Sequence, residues 1–156
     1  VTLSSEGART DAGGPDEPAT LAQREVDIAT VPDLAWDLQV RVNDWPSWHP
    51  GIIDSLILEG MGPGVKFSWV EGDRALTARV EIFREGSALS WSALDGDVTL
   101  IQYWTFTPIA RGVHVSASEM SWGEGPGDAS TARLLAGEQS LDTWLAHLKA
   151  EAEART

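Results

Sequence analysis

The 156-residue chain contains no cysteine. That removes disulfides, a thiolate nucleophile and any cysteine-ligated zinc or iron–sulfur centre, and it suits a reducing compartment. Basic residues are scarce: 11 Lys and Arg stand against 24 Asp and Glu, a formal charge of −13. No two basic residues are adjacent. Phosphate backbones and anionic membrane surfaces are held by clustered Lys and Arg, so neither nucleic acid nor a membrane is an expected partner. No stretch approaches the ~18 apolar residues of a membrane span, and no charged start leads into an apolar run as in a signal peptide. The expectation is a soluble, cytoplasmic protein whose acidic residues, scattered from Glu6 to Glu153, serve solubility.

Tryptophan is abundant, with eight residues. Two of them, Trp45 and Trp48, lie inside Asp44-Trp45-Pro46-Ser47-Trp48-His49-Pro50. Each indole buries roughly 150–250 Å² when it finds a partner, so this short stretch requires a surface to cover.

The length fits one domain with a core of its own. Residues 1–20 carry Gly-Gly-Pro and Asp-Glu-Pro and almost no large apolar side chains, the composition of a disordered arm; 21–156 would form the domain. Val26 and Ile28 alternate with Glu25 and Asp27, which predicts a strand from Gln23 to Thr30. Pro32 fits the first turn of a helix that carries Ala35, Trp36 and Val40, and Asp44 can cap a second short one. Six strand-like segments follow: Ile53 to Leu58, Val65 to Val70, Ala75 to Arg84, Ala88 to Leu94, Thr99 to Pro108 and Val113 to Trp122. Their short Gly- and Asp-rich breaks permit only antiparallel neighbours, so they form a meander with the first strand free to join an edge. After a loop at Gly123 to Gly127, a long helix starts at Asp128, with Leu134, Leu141, Trp144, Leu145 and Leu148 on one stripe. It is the one element long enough to cover the sheet.

Period two divides each strand into faces. The more apolar faces hold Phe67 with Trp69, Ala78 with Val80 and Ile82, Leu89 with Trp91, Trp104 with Phe106, and Val115 with Ala117. Two polar groups share these inner faces, Gln102 and Glu119. A turn at Ile109 to Gly112 pairs 108 with 113 and therefore sets Gln102 across from Glu119. Burial among Trp69, Trp91 and Trp104 would raise the Glu119 pKa and equip it as a general acid or base; equally, Gln102, a backbone N–H or water could satisfy it as a plain structural group. His49 is either an exposed or capping turn residue or a titratable group at a cavity mouth. The three histidines have no His-x-His or His-Glu-x-x-His spacing, so neither a metal nor a cofactor is expected. Trp45, Trp48, Trp69, Trp91 and Trp104 suit an aromatic-lined pocket, and core packing accounts for them as well.

The ordered set Pro32, Trp36, Asp44-Trp45-Pro46-Ser47-Trp48, Gly64, Phe67, Trp69, Leu89-Ser90-Trp91, Trp104, Phe106, Ser118-Glu119 and Trp144-Leu145 resembles the START-like (Bet v 1-like) superfamily, in its bacterial polyketide cyclase/dehydrase and lipid-transport form. The likeness runs from about Arg24 to Ala154. It implies an α+β helix-grip fold: a curved antiparallel seven-stranded sheet wrapped around a long C-terminal helix, with two short helices after strand one. It also implies a deep cavity for a hydrophobic, aromatic or polyketide-like molecule, gated by the short helices. Trp45, Trp48, Phe67, Trp69 and Val80 would touch the ligand, as would Trp91, Trp104, Phe106 and Ala117; Glu119, helped by Gln102 or His49, would move protons in a cyclisation or dehydration. Related sequences often have His where this one has Gln102, which weakens a His–Glu relay. Alternatives from other classes are a non-catalytic carrier or sensor and a co-chaperone-like interaction module whose pocket is filled by its own side chains. The chain would act as a monomer or homodimer.

Overall fold

Turn chemistry organises the structure, a computed structural model that describes residues 19–123 and 128–156. The arm expected over 1–20 lies outside these residues except at its end, and so does most of the loop expected at Gly123 to Gly127. Seven strands form one sheet: β1 (Thr20–Ile28), β2 (Ile52–Ile57), β3 (Lys66–Glu71), β4 (Arg74–Arg84), β5 (Ala88–Asp95), β6 (Val98–Ile109) and β7 (Gly112–Trp122). Gly72 and Gly96, at φ of 63° and 60°, open the two-residue turns joining β3 to β4 and β5 to β6. Positive φ at these positions is what lets so short a loop follow the twist of both strands.

The sheet order is β1-β7-β6-β5-β4-β3-β2, every pair antiparallel. The meander thus carries its first strand at the β7 edge. β1 is displaced from its expected span, beginning at Thr20 and ending at Ile28, because the whole segment pairs with β7 from Ser121 to Val113. Between β1 and β2 lie α1 (Pro32–Val40), a 3-10 turn (Val42–Asp44) and α2 (Trp45–Trp48). Val31 is the N-cap of α1, with Pro32 at its first position. Asp44 occupies the N-cap of α2 but its side chain makes no capping bond. The long helix α3 (Asp128–Ala154) lies against β1 and β7, and α1 and α2 touch it. Leu141, Trp144, Leu145 and Leu148 are buried on its sheet-facing stripe. This is the α+β helix-grip architecture.

One inward assignment fails. Ile82 is 39 % exposed. A β-bulge between Val80 and Ile82 leaves Glu81 as an extra residue, so the face reverses and Phe83 turns in against Trp36, ring centroids 5.7 Å apart. An extra residue in a period-two element exchanges the faces beyond it.

The 3-10 turn is fastened to the edge strand. Asn43 donates from Nδ2 to the Ile57 carbonyl (3.1 Å) and accepts from the Ile57 N–H at Oδ1 (2.9 Å), while Ser55 Oγ donates to the Val42 carbonyl (2.5 Å). This clamp fixes where the aromatic stretch after Asp44 enters the molecule.

Candidate functional site

The inner face of the sheet carries cross-strand rows. One runs Ala22, Glu119, Gln102, Trp91, Val80 from β1 to β4, read from the register of each pair. The Gln102–Glu119 pairing is the one expected from the β6–β7 turn. Glu119 is 4 % exposed and Gln102 1 %. Gln102 Nε2 donates to Glu119 Oε1 (2.8 Å), and Trp104 Nε1 donates to Gln102 Oε1 (3.2 Å). The amide orientation of Gln102 is therefore fixed from both sides, its oxygen toward the indole N–H and its nitrogen toward the carboxyl. The other carboxyl oxygen faces α3 at Gly137, where a Cβ would lie 2.8 Å from Glu119 Oε2. A glycine inside a long helix costs propensity, and here it makes room for the carboxyl.

Burial raises the Glu119 pKa above the ordinary glutamate value, partly opposed by the Gln102 hydrogen bond and by Arg74. Glu71 and Asp95 push the same way as burial, since nearby negative charge disfavours a second one. Glu119 is thus biased toward its neutral, proton-donating form.

Around this pair stands a continuous set of rings. Trp45 packs against Phe67 (5.7 Å), Trp69 (5.8 Å), Trp91 (6.0 Å) and Trp144 (5.0 Å). Trp91 and Trp104 are 6.3 Å apart, and Trp104 and Trp144 are 5.4 Å apart. Phe106, Val80 and Ala117 complete the inward faces and are buried. The structure corrects the location of the stretch from Asp44 to Pro50: Trp45 is the centre of the interior cluster, and Trp48 and His49 are buried beside it, where a position at the mouth was expected. The rings interlock because Trp45 Nε1 donates to the Gln39 carbonyl (3.0 Å), which draws α2 down onto α1 and the sheet.

His49 is fully buried. Its Nδ1 accepts the Gly51 N–H (3.1 Å), so it does cap the turn, yet from inside the molecule. The ring lies 5.1 Å from Trp144 and 5.8 Å from His147. Burial lowers its pKa, Glu71 opposes this and His147 reinforces it, so the ring is biased toward the neutral form. Glu71 was not anticipated. Its carboxylate takes Trp69 Nε1 (3.2 Å) on one oxygen and Ser140 Oγ (2.7 Å) on the other, joining β3 to α3 beside both His49 and Glu119. Gln39 was also missed: it is fully buried within α1 and accepts Trp144 Nε1 at Oε1 (3.1 Å). A glutamine between Leu38 and Val40 gives no sequence signal of that role; only the helix phase, had it been centred on Trp36, would have turned it inward.

Open space lies at the far end of the inner face from Glu119. A cleft of about 560 Å³ is bounded by α1, the 3-10 turn and the β2–β3 and β4–β5 connections, with Trp36, Ile57, Met61 and Phe83 as its apolar lining and Arg41, Asn43 and Glu85 at its edge. Trp36 joins it to the interior through Phe106, 5.3 Å away. Among the described residues no group of three or more His, Asp or Glu side chains could hold a metal ion, and no helix is long and apolar enough to cross a membrane.

Known structures share this arrangement. An aromatase/cyclase, ZhuI of Streptomyces sp. R1128, superposes with a TM-score of 0.75 at 17% identity over 88% of this chain and 96% of its own. A START superfamily protein from Mycobacterium smegmatis gives 0.74 at 15% identity, over 87% and 99%. The di-domain aromatase/cyclase StfQ of the steffimycin biosynthetic pathway gives 0.70 at 18% identity, over 88% of this chain and 51% of that longer one. At these identities the likeness is one of fold. A sequence search of curated proteins gives no match. The family model for polyketide cyclase / dehydrase and lipid transport matches residues 19–153, nearly the whole described chain, and the protein therefore belongs to that family.

Proposed function

We propose that the protein binds a hydrophobic, aromatic or polyketide-like small molecule between the sheet and α3 and promotes its cyclisation or dehydration, with Glu119 as the proton donor and acceptor. One observation carries this reading: a carboxyl biased toward its neutral form sits in an aromatic wall and is oriented by Gln102. Neutral Glu119 can donate to a carbonyl or departing hydroxyl oxygen, and the carboxylate so formed can remove a proton from the carbon next to a carbonyl; the two steps balance and return the group to its starting state. A shaped interior adds rate by holding a flexible chain in a reactive fold. The cleft at Trp36 supplies the entry. From Phe106 to Gln102 the inner file of β6 spans four residues, about 13 Å at roughly 3.3 Å per residue, so an elongated ligand would reach Glu119 by displacing the Trp104 and Trp91 rings. His49, buried and neutral, assists as a positioning group.

The test uses a 1,5-diketone whose intramolecular aldol condensation is followed by enone absorbance. Glu119→Gln should lower turnover about 10²–10⁴-fold with the affinity, read by tryptophan quenching, retained. Unchanged turnover removes Glu119 from the mechanism. A second reading, a binding or interaction module without chemistry, draws support from the rings that fill the interior; it predicts that no diketone is turned over by the unmodified protein.

A further inference from the structure

Every buried side-chain nitrogen or oxygen left without a hydrogen-bond partner among the described residues is a donor nitrogen: Gln39 Nε2, Trp48 Nε1, His49 Nε2, Trp91 Nε1, and Nε and Nη2 of Arg133. Chemistry fixes their character. The indole N–H only donates. Gln39 Oε1 already accepts from Trp144 Nε1, so flipping the amide would set two donors against each other and leave the oxygen unmatched instead. His49 Nδ1 accepts the Gly51 N–H, which leaves the ring proton of the neutral imidazole on Nε2. Arg133 stands apart, near the start of α3 beside Gly123.

Three of the other four stand around one ring, Trp144, and the fourth, Trp48, lies beside His49. Gln39 bonds the edge of Trp144, His49 lies 5.1 Å from it and Trp91 6.5 Å, and Trp48 is 6.0 Å from His49. Gln39, His49 and Trp91 are all fully buried. Three of the four donors come from the single segment between residues 39 and 49, which runs from the last turn of α1 to the end of α2. Native interiors rarely leave one such donor unmatched, because each costs its desolvation; a cluster of them with no buried side-chain acceptor left over among the described residues is a complementary imprint of something that brings acceptors.

We infer that the Gln39, Trp48, His49 and Trp91 donors beside Trp144 and His49 form an acceptor subsite that takes the uncharged carbonyl oxygens of an apolar ligand. The inference rests on the small-molecule reading above and names the ligand chemistry. All four donors are neutral, so nothing at the subsite would offset the desolvation of a carboxylate. Glu71, which acts on His49, adds negative potential that opposes an anion further. A ketone or quinone oxygen meets the donors without that charge.

Three probes of one size separate the possibilities: 2-acetonaphthone, 2-isopropylnaphthalene and 2-naphthoate, titrated by tryptophan quenching. Because the hydrocarbon leaves water more readily, the readout is how each probe responds to substitution. His49→Phe keeps a ring and removes the donor; Gln39→Met and Trp91→Phe do so elsewhere in the cluster and guard against one variant that does not fold. Each should weaken acetonaphthone by about threefold or more, as expected for a lost neutral hydrogen bond, and leave isopropylnaphthalene within about twofold. Naphthoate should bind the unmodified protein more weakly than acetonaphthone. A measurement without variants is the infrared stretch of 13C-labelled acetonaphthone carbonyl, which should lie below its position in hexane when bound. Equal losses for ketone and hydrocarbon, an unshifted stretch, or tighter binding of naphthoate overturns the acceptor subsite and leaves the small-molecule reading standing. Failure of all three probes to bind overturns that reading, and the subsite with it.

Discussion

Gly137→Ala should change sign with the residue at position 119. In an ordinary helix interior alanine is more favourable than glycine by about 0.5–1 kcal/mol. At this site the new Cβ would stand 2.8 Å from Glu119 Oε2 and 3.4 Å from the Ala22 Cβ. An exposed glutamate would swing aside at little cost. Glu119 is restrained, since its Oε1 is held by Gln102, and Gln102 is held in turn by the fully buried Trp104. Overpacking of such a site costs about 1–3 kcal/mol, so the gain and the cost combine to a net destabilisation of about 0.5–2 kcal/mol. In a Glu119→Ala background the obstacle is gone and the same change should stabilise by about 0.5–1 kcal/mol. Urea unfolding of the four proteins in this double-mutant cycle gives the coupling directly, expected at about 1–3 kcal/mol. A Gly137→Ala protein more stable than its parent with Glu119 intact would refute the packing argument.

Glu119 also sets a pH dependence. Its folded pKa lies above the ordinary 4.5, so holding its charge inside the fold costs stability. That cost is absent below the unfolded pKa, grows as pH rises through the folded value and is complete above it. Glu119→Gln should therefore gain relative to its parent as pH rises from about 4 to 8, read as the difference in Tm at each pH; a difference that is flat or shrinks opposes the assignment. Asn43→Ala removes both bonds to the Ile57 backbone and should cost about 1–3 kcal/mol, with Asn43→Asp recovering part of it through the retained acceptor; unchanged urea midpoints would show that the clamp contributes nothing. Trp45→Ala should cost about 3–5 kcal/mol; a loss below about 1 kcal/mol would place Trp45 outside the core.

The strand framework was legible because it is local: glycine and aspartate at the breaks fixed short loops, and the β6–β7 turn alone set Gln102 opposite Glu119. The bulge at Glu81 was not, since neither neighbour carries the glycine that often marks one, and Ile82 was consequently assigned to the wrong face. Asp44 to Pro50 shows the same boundary. Its composition demanded burial, but whether it covers the cavity mouth or fills the interior depends on where the Asn43 clamp and the Trp45–Gln39 bond deliver it. Gln39 and Glu71 take their roles from partners about a hundred and about seventy residues away, Trp144 and Ser140, and no window along the chain contains both members of either pair.

The Asn43 clamp occupies the outward backbone groups of Ile57 on β2, the sheet's edge strand opposite β1. Beside them Leu56 and Leu58 face solvent, Leu58 at 88 % exposure. An uncovered edge of that composition is a template for a strand from another molecule. Any motion that lifts Val42–Asp44 to admit a ligand must bare this edge at the same moment. On the function proposed above, ligand entry and self-association would share one latch: conditions that speed exchange of the interior would also favour clustering of the protein, and a bound ligand that holds the segment down would keep the molecules apart.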